Sequence, residues 1–209
     1  MSDALSVTTF VVDDRLPWPD DAPGLPEQGP FDPAVIHDSG GRQPCSIRKI
    51  SPRGATLYAE MVRGPGESVS IELGNGKRSN GTVAWSRRGE LGVSFKEPID
   101  MVALLNRTLV SQPAERRTMP RVEVRCPLHV KCGAAMVRGA LRNISAKGLQ
   151  IEGEELPERE SYVTVFIEGL NVPAGEIVWK RGNIAGIELF EEMSWTSVIP
   201  WVKNVVRKG

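Results

Sequence analysis

The sequence predicts a mainly β protein made of two tandem antiparallel barrels or sandwiches, each followed by a helix. Three observations predict this fold class. One half of the chain aligns with the other at a constant offset, short strand patterns recur between close turns, and a helical pattern follows each set of strands. The chain has 209 residues, which is enough for two domains of about 100 residues each.

The repeat is clearest in two polar segments, IRKISPRGATL from Ile47 and LRNISAKGLQI from Leu141. The offset between them, 94 positions (141 − 47), also aligns Trp85 with Trp179 much further along the chain. An offset that stays constant through several turns indicates two copies of one domain without a net insertion.

The strands are predicted from apolar residues at alternate positions. From Val122 to Cys132 every even position is apolar and the odd positions are mostly polar, which is the period of a half-buried strand. Cys126 and Cys132 are therefore predicted to be small core residues. Further strands are predicted at YVTVFI from residue 162, GEIVWK from residue 175 and AGIELF from residue 185.

The helices, the tail and the linker are predicted from local signals. Asp100 precedes an apolar stripe at helical spacing that ends before Pro113, and Pro200 in the last segment predicts a kink or a late helix start. Residues 1–30 are rich in Pro and Asp and are predicted to be a disordered tail. The two domains are then residues 31–112 and 121–209, joined by a linker at residues 113–120.

The composition argues against several classes of protein. The 26 basic and 26 acidic residues cancel, so the overall positive charge of a protein that binds nucleic-acid polymers is absent. The N-terminal run FVV is too short for a signal peptide or a membrane span, so we expect a cytoplasmic protein. The three cysteines and two histidines have no metal-ligand spacing, and no catalytic Ser-His-Asp or Cys-His pattern emerges. We therefore expect neither a metal, a cofactor nor an enzyme.

A locally basic cluster lies between the two copies. The segment QPAERRTMPRVEVRC places Arg116, Arg117, Arg121 and Arg125 within ten residues. The planar guanidinium group presents a fork of donors that suits phosphate oxygens and the O6/N7 edge of guanine. Because the chain as a whole carries no net charge, any anion must be held by a local cluster such as this one.

Asn143, Ser145 and Gly148 follow this cluster within the second polar segment. The two short polar side chains can read other edges of a base, and the glycine lets the backbone turn or approach closely. Together with Arg117 and Arg121 they spell RxxxR followed by (D/N)xSxxG. In that order, the second copy resembles a PilZ domain, over residues 115–209 with both motifs and over residues 31–112 in strand pattern alone.

The resemblance implies a fold, a ligand and the roles of single residues. It implies a six-stranded antiparallel barrel with a C-terminal helix that binds the bacterial second messenger cyclic di-GMP. Arg117 and Arg121 would clamp phosphates and a guanine, Asn143 and Ser145 would hydrogen-bond the guanine on the barrel, and the motif glycine would shape the turn. Arg116 is a candidate for holding a second, stacked cyclic di-GMP molecule.

The first copy departs from this pattern. It keeps Ser51 and Gly54 but has Lys49 in place of the amide, and Pro23 and Glu27 stand at the two arginine positions. Serine and glycine alone are typical of an ordinary turn. The first copy is therefore predicted to be a PilZ-like barrel without a ligand site. The shared Trp85 and Trp179 then indicate packing rather than base stacking.

Three functions remain as hypotheses. The leading one is a cyclic di-GMP receptor that signals by domain rearrangement to a protein partner in motility, adhesion or polysaccharide control, an output implied by the family alone. The second is an adaptor of two PilZ-like barrels that binds protein and no nucleotide. The third is a barrel that binds RNA or single-stranded DNA, which zero net charge and only five Phe and two Tyr disfavour.

Overall fold

The structure is a computed structural model, and it describes residues 8–18, 31–60, 63–74, 76–87, 89–111 and 120–208. The chain divides into two compact units, Met1–Pro120 and Arg121–Gly209. Within the described residues, no helix combines the length and the apolar character that a membrane span requires.

The first unit is a closed six-stranded antiparallel barrel with one additional strand and one helix. Its elements are β1 (Thr9–Val11), β2 (Asp32–Asp38), β3 (Gly41–Ser51), β4 (Gly54–Tyr58), β5 (Ser68–Leu73), β6 (Arg78–Arg87), β7 (Glu90–Phe95) and α1 (Met101–Ser111). The barrel order is β3-β2-β5-β6-β7-β4, and β4 pairs again with β3 to close it. Strand β1 lies outside this ring and pairs in parallel with β3.

The second unit repeats the barrel and its helix. Its elements are β8 (Arg121–Cys132), β9 (Ala135–Ile144), β10 (Gly148–Glu152), β11 (Tyr162–Phe166), β12 (Gly175–Arg181), β13 (Ile184–Leu189) and α2 (Trp195–Lys208). The order β9-β8-β11-β12-β13-β10 closes through the pairing of β10 with β9. The predicted fold class, a mainly β protein with two six-stranded antiparallel barrels each followed by a helix, is confirmed.

The two barrels share one hydrogen-bonding register at the offset of 94 positions. Lys49 pairs with Thr56 in the first barrel, and Asn143 pairs with Gln150 in the second. Both barrels also have a β-bulge at the same place in this strand pair, so that one extra residue precedes Lys49 in β3 and Asn143 in β9. The duplication read from the sequence therefore extends to the irregularities of the fold.

The core follows the alternation predicted for β8. The inward residues Val122, Val124, Leu128 and Val130 are all buried. The two cysteines differ from the prediction in degree, because both are half-buried. The register of β8 shifts between Glu123 and Cys126, so the strict alternation of the sequence is interrupted there.

The helices begin where local caps allow. The Asp100 carboxylate accepts a hydrogen bond from the Ala103 N–H at 2.9 Å, which confirms the predicted start of α1. Of the two expectations for α2, the late start is wrong, because α2 begins at Trp195 and contains Pro200, and a kink at the proline stays a prediction. The Ser194 hydroxyl accepts a hydrogen bond from the Thr196 N–H at 3.3 Å and so caps the helix ahead of the proline.

The predicted disordered tail is wrong for part of its length. Residues 8–18 are described, and Thr9–Val11 forms β1. The apolar run Phe10, Val11 and Val12 is buried, with exposed fractions of 1%, 1% and 7%, which favours order over a solvated tail. The rest of the tail and residues 113–119 of the predicted linker lie outside the described residues, so the domain boundaries stay predictions.

Asp32, at the start of β2, carries the clearest pH dependence in the first barrel. Burial raises the pKa of its carboxyl group from 3.8 to about 6. The folded state thus holds this proton more tightly than the unfolded state, so the stability of the protein falls as the pH rises from about 4 to about 6.

We expect Asp32→Asn to raise the free energy of unfolding by about 1–3 kcal/mol at pH 8, because the amide carries no charge to desolvate. The gain should shrink through pH 6 and vanish below pH 4. Urea unfolding at pH 4 and pH 8 measures it, with the exposed Asp14→Asn as the control. A gain of equal size at both pH values would contradict the assignment.

Candidate functional site

The second barrel presents a row of residues that crosses five neighbouring strands. Glu123 on β8 pairs with Asn143 on β9, which pairs with Gln150 on β10. Gln150 pairs with Gly186 on β13, and Gly186 pairs with Trp179 on β12. We call these five residues the transverse row. Because residues paired across strands project to the same side of a sheet, the row forms one surface.

The transverse row lies on the outside of the barrel. Gln150 stands between Leu149 and Ile151, which are both buried in the core, with exposed fractions of 4% and 0%. Successive side chains along a strand point to opposite faces, so the side chain of Gln150 points away from the core. The row can therefore contact a ligand that lies flat against the barrel.

Asn143 is held in a defined orientation within the row. Its side-chain amide is buried, and Nδ2 donates a hydrogen bond to Oε1 of Gln150 at 2.5 Å. An amide has one donor end and one acceptor end. With the donor end engaged by Gln150, the Oδ1 atom is the acceptor that the Asn143 side chain can offer to a ligand.

Ser145 belongs to the turn that follows β9. Its backbone N–H and its hydroxyl both donate to the Gly148 carbonyl oxygen, at 2.9 Å and 3.2 Å. The hydroxyl proton is therefore used inside the turn, and Oγ keeps its lone pairs. Ser145 can then accept a hydrogen bond from a ligand without releasing the turn.

Gly148 is required by the close approach of β10 and β13. A β-carbon at this position would lie 2.4 Å from the Ile187 carbonyl oxygen. Gly54 in the first barrel stands in the same relation to the Val93 carbonyl oxygen, also at 2.4 Å. The expectation of a close backbone approach is confirmed, and its presence in both barrels makes this glycine a residue of the fold.

Only one of the three arginines of the predicted site is described. Arg121 is the first residue of β8 and is exposed. It projects to the same face as Glu123, two residues later and about 7 Å along the strand. Arg116 and Arg117 lie outside the described residues, so their place relative to the row stays a prediction.

Trp179 packs against the barrel in the way that the repeat suggested. A β-carbon at Gly186 would lie 2.1 Å from the indole Nε1 of Trp179, so the ring covers the glycine. Trp85 covers Gly92 identically in the first barrel, where the corresponding distance is 2.2 Å. The tryptophan therefore fills the space left by a glycine on the next strand.

Gln150 is the functional candidate that the sequence analysis missed. It lies two residues after Gly148, outside the (D/N)xSxxG pattern, and nothing in its type marks it as a ligand contact. The alternation of β10 carried a usable signal, because a polar residue between Leu149 and Ile151 must face outwards. Its pairing with Asn143 depends on the register, which the bulge shifts by one residue.

The described residues offer little for metal or nucleophilic chemistry. They contain no group of three or more His, Cys, Asp or Glu side chains that could hold a metal ion. Burial raises the pKa of the Cys126 thiol to about 11, so the reactive thiolate is scarce near neutral pH. The chemistry available at the transverse row is hydrogen bonding and charge pairing.

Comparison with known proteins gives one family match, and it falls mainly on the second unit. Residues 115–197 match the family model described as PilZ domain. This range contains the RxxxR segment and β8–β13 with the transverse row. No curated protein matches the chain.

Several solved structures resemble the chain weakly. PlzA of Borreliella burgdorferi in complex with c-di-GMP has 11% sequence identity and a TM-score of 0.34, covering 82% of this chain and 86% of that chain. The inhibitor of motility MotI/DgrA of Bacillus subtilis has 10% identity and a TM-score of 0.28, covering 85% and 96%. YcgR of Escherichia coli in complex with c-di-GMP has 15% identity and a TM-score of 0.25, covering 85% and 83%.

Proposed function

We propose that the second unit, which matches the PilZ domain model over residues 115–197, makes this protein a cytoplasmic receptor for cyclic di-GMP that binds its ligand on the second barrel. One observation carries the proposal. Arg121 and Asn143 lie on adjacent strands and face the same outer surface, and the donor end of the Asn143 amide is held by Gln150. This combination of a fork of cationic donors and a neutral acceptor suits a guanine nucleotide with phosphates.

The arginines supply the charge in this proposal. Arg117 and Arg121 bind the phosphates and one guanine, through the bidentate contacts that guanidinium groups make with phosphate oxygens and with the O6/N7 edge. Arg116, next to this pair in the chain, contacts a second ligand molecule stacked on the first. Because the chain as a whole has no net charge, attraction of a dianion depends on this local cluster.

The barrel supplies the selection for guanine. The Oδ1 atom of Asn143 accepts a hydrogen bond from a guanine N–H donor, and Ser145 Oγ accepts another. The Watson–Crick edge of guanine carries two adjacent donor groups, whereas adenine presents an acceptor there. Gln150 acts as a positioning residue, since it fixes which end of the Asn143 amide meets the base.

The output of the receptor is a change in how the two units are arranged, which a protein partner reads. RxxxR stands at the boundary of the two units, so a ligand bound by Arg117 and Arg121 acts on the part of the chain that joins them. A ligand shifts such an equilibrium only as far as it prefers one arrangement. A partner in motility, adhesion or polysaccharide machinery would distinguish the arrangements.

We predict that Arg121→Ala weakens cyclic di-GMP binding more than tenfold, because a bidentate contact contributes about 1–3 kcal/mol and tenfold corresponds to about 1.4 kcal/mol. Asn143→Ala should cost about fivefold, since a neutral hydrogen bond contributes about 1 kcal/mol. Calorimetric titration measures both. Arg138→Ala, an exposed arginine near the other end of β9 from Asn143, is the control and should change the affinity less than about twofold. An unchanged dissociation constant for Arg121→Ala would sink the assignment of the site.

We predict that Gln150→Met weakens cyclic di-GMP binding about threefold to fivefold by freeing the Asn143 amide to rotate. If Gln150 acts through Asn143, the double variant Asn143→Ala/Gln150→Met should bind no more weakly than Asn143→Ala alone. Titration of the wild type, both single variants and the double variant completes the cycle. Independent, additive losses would show that Gln150 contacts the ligand directly or acts elsewhere.

We predict that saturating cyclic di-GMP changes the small-angle scattering profile of the full chain, because ligand binding selects one arrangement of the two units. Arg121→Ala, titrated to the same ligand concentration, serves as the control and should keep the ligand-free profile. Tight binding by the wild type with an unchanged profile would contradict the rearrangement and leave the receptor function standing.

A further inference from the structure

In the first barrel, the surface that corresponds to the transverse row is covered by the chain itself. Residues 8–18, which we call the N-terminal strap, lie across it. The counterparts of the row and its turn in the first barrel are Lys49 for Asn143, Thr56 for Gln150, Gly92 for Gly186, Trp85 for Trp179 and Gly54 for Gly148. The strap contacts four of these positions, namely Lys49, Gly54, Thr56 and Trp85.

Strand β1 of the strap pairs with the part of β3 that β2 is too short to reach. Strand β2 begins at Asp32, the counterpart of Cys126, whereas β8 begins five residues earlier in the second barrel at Arg121. Lys49 and Ile50 therefore receive no partner from β2. Instead Thr9 pairs with Lys49 and Phe10 pairs with Ile50, in parallel. An added strand of this kind is a common way for a barrel or sheet to hold a peptide.

A buried threonine fixes the beginning of the strap. Thr8 is 2% exposed, its hydroxyl donates to the Ile47 carbonyl oxygen at 2.7 Å, and its Oγ1 accepts from the Asp32 N–H at 2.7 Å. One hydroxyl thus satisfies two backbone groups at the edge of the barrel. A buried hydrogen-bond pair of this geometry sets the register of the strap on β3.

The end of the strap covers the turn glycine and the tryptophan. Thr56 Oγ1 donates to the Pro17 carbonyl oxygen at 2.5 Å. Side-chain carbons of Leu16 and Pro17 lie 3.4 Å from the place where Gly54 would carry a β-carbon, and the Trp18 ring meets the Trp85 ring edge-on at 5.9 Å. Proline restricts the segment to an extended form, so little further order is lost when it binds.

We propose that this surface of the first barrel is a peptide-binding site, and that its ligand is the chain's own N-terminal strap. The ligand class is an extended segment that adds a short parallel strand and ends in an apolar residue, a proline and a tryptophan. The same positions that hold polar groups in the second barrel here hold a lysine and a threonine, and the threonine recognises a backbone carbonyl. The ligand of the first barrel is thus a peptide segment of the same chain.

The test cuts the covalent connection between the strap and the first barrel and leaves their non-covalent contacts in place. A protease recognition sequence is inserted between Gly24 and Leu25 of the full chain, and the cut protein is passed over a size-exclusion column at about 10 μM. We expect the released N-terminal fragment to co-elute with the remainder of the chain. Elution of the fragment as a free peptide would overturn the proposal.

Peptide exchange then tests the contacts. The cleaved N-terminal fragment is first removed from the cut protein. A fluorescent peptide with the sequence of residues 5–20 is then titrated against the remaining protein. We expect Trp18→Ala in the peptide to weaken binding at least tenfold, and Thr56→Val in the protein to weaken it about fivefold. Thr82→Val on β6 removes a hydroxyl that makes none of the strap contacts and should leave the affinity unchanged.

The peptide variant decides the matter even if Thr56→Val fails to fold, because the Trp18→Ala peptide meets the same wild-type barrel. Equal affinities of the wild-type and Trp18→Ala peptides would overturn the proposal. No nucleotide enters either measurement, so failure of the strap site and failure of cyclic di-GMP binding are separate results.

Discussion

Both barrels depend on one steric constraint, the close approach of two strands at a glycine. At Gly148 and at Gly54 a β-carbon would lie 2.4 Å from a carbonyl oxygen of the neighbouring strand, a distance that no side chain tolerates. Glycine lets the strands cross closely and coil, which a six-stranded sheet needs in order to close. Closure then sets β8, β9, β10, β13 and β12 side by side, and the transverse row follows from that order.

The fold was predictable from the sequence because the same pattern of residues occurs in both halves of the chain. A glycine, a tryptophan or an apolar alternation seen once is ambiguous, but the same residue 94 positions later removes much of the ambiguity. The candidate residues Asn143 and Ser145 were found for the same reason, since the polar turn also recurs. Their neighbour Gln150 was missed because its position beside Asn143 depends on a bulge, and a one-residue shift leaves no mark in composition.

The ordered structure of the N-terminal strap could not be predicted from the sequence for a different reason. Strand β1 has three residues, too few for a period to be recognised, and it pairs with a strand about 40 residues away in the chain. The surrounding prolines and aspartates are typical of disordered segments. In this chain Pro17 and Trp18 instead contact the barrel, so the composition that predicts disorder also describes a bound extended peptide. Tertiary contacts, which composition does not encode, decide between the two.

The shared bulge explains how two copies of one barrel came to carry different surfaces. Leu141 and Ile144 both point into the core and are fully buried. In a regular strand, residues three positions apart point to opposite faces, so both could not be buried in the same core. The extra residue of the bulge restores the alternation, so Leu141 and Ile144 both face the core while Asn143 faces the outer surface. Lys49 occupies the same protected position in the first copy. A duplicated domain of this kind can change the residues of its outer surface one at a time while the core residues on either side of the bulge stay the same, which separates the evolution of recognition from the evolution of stability.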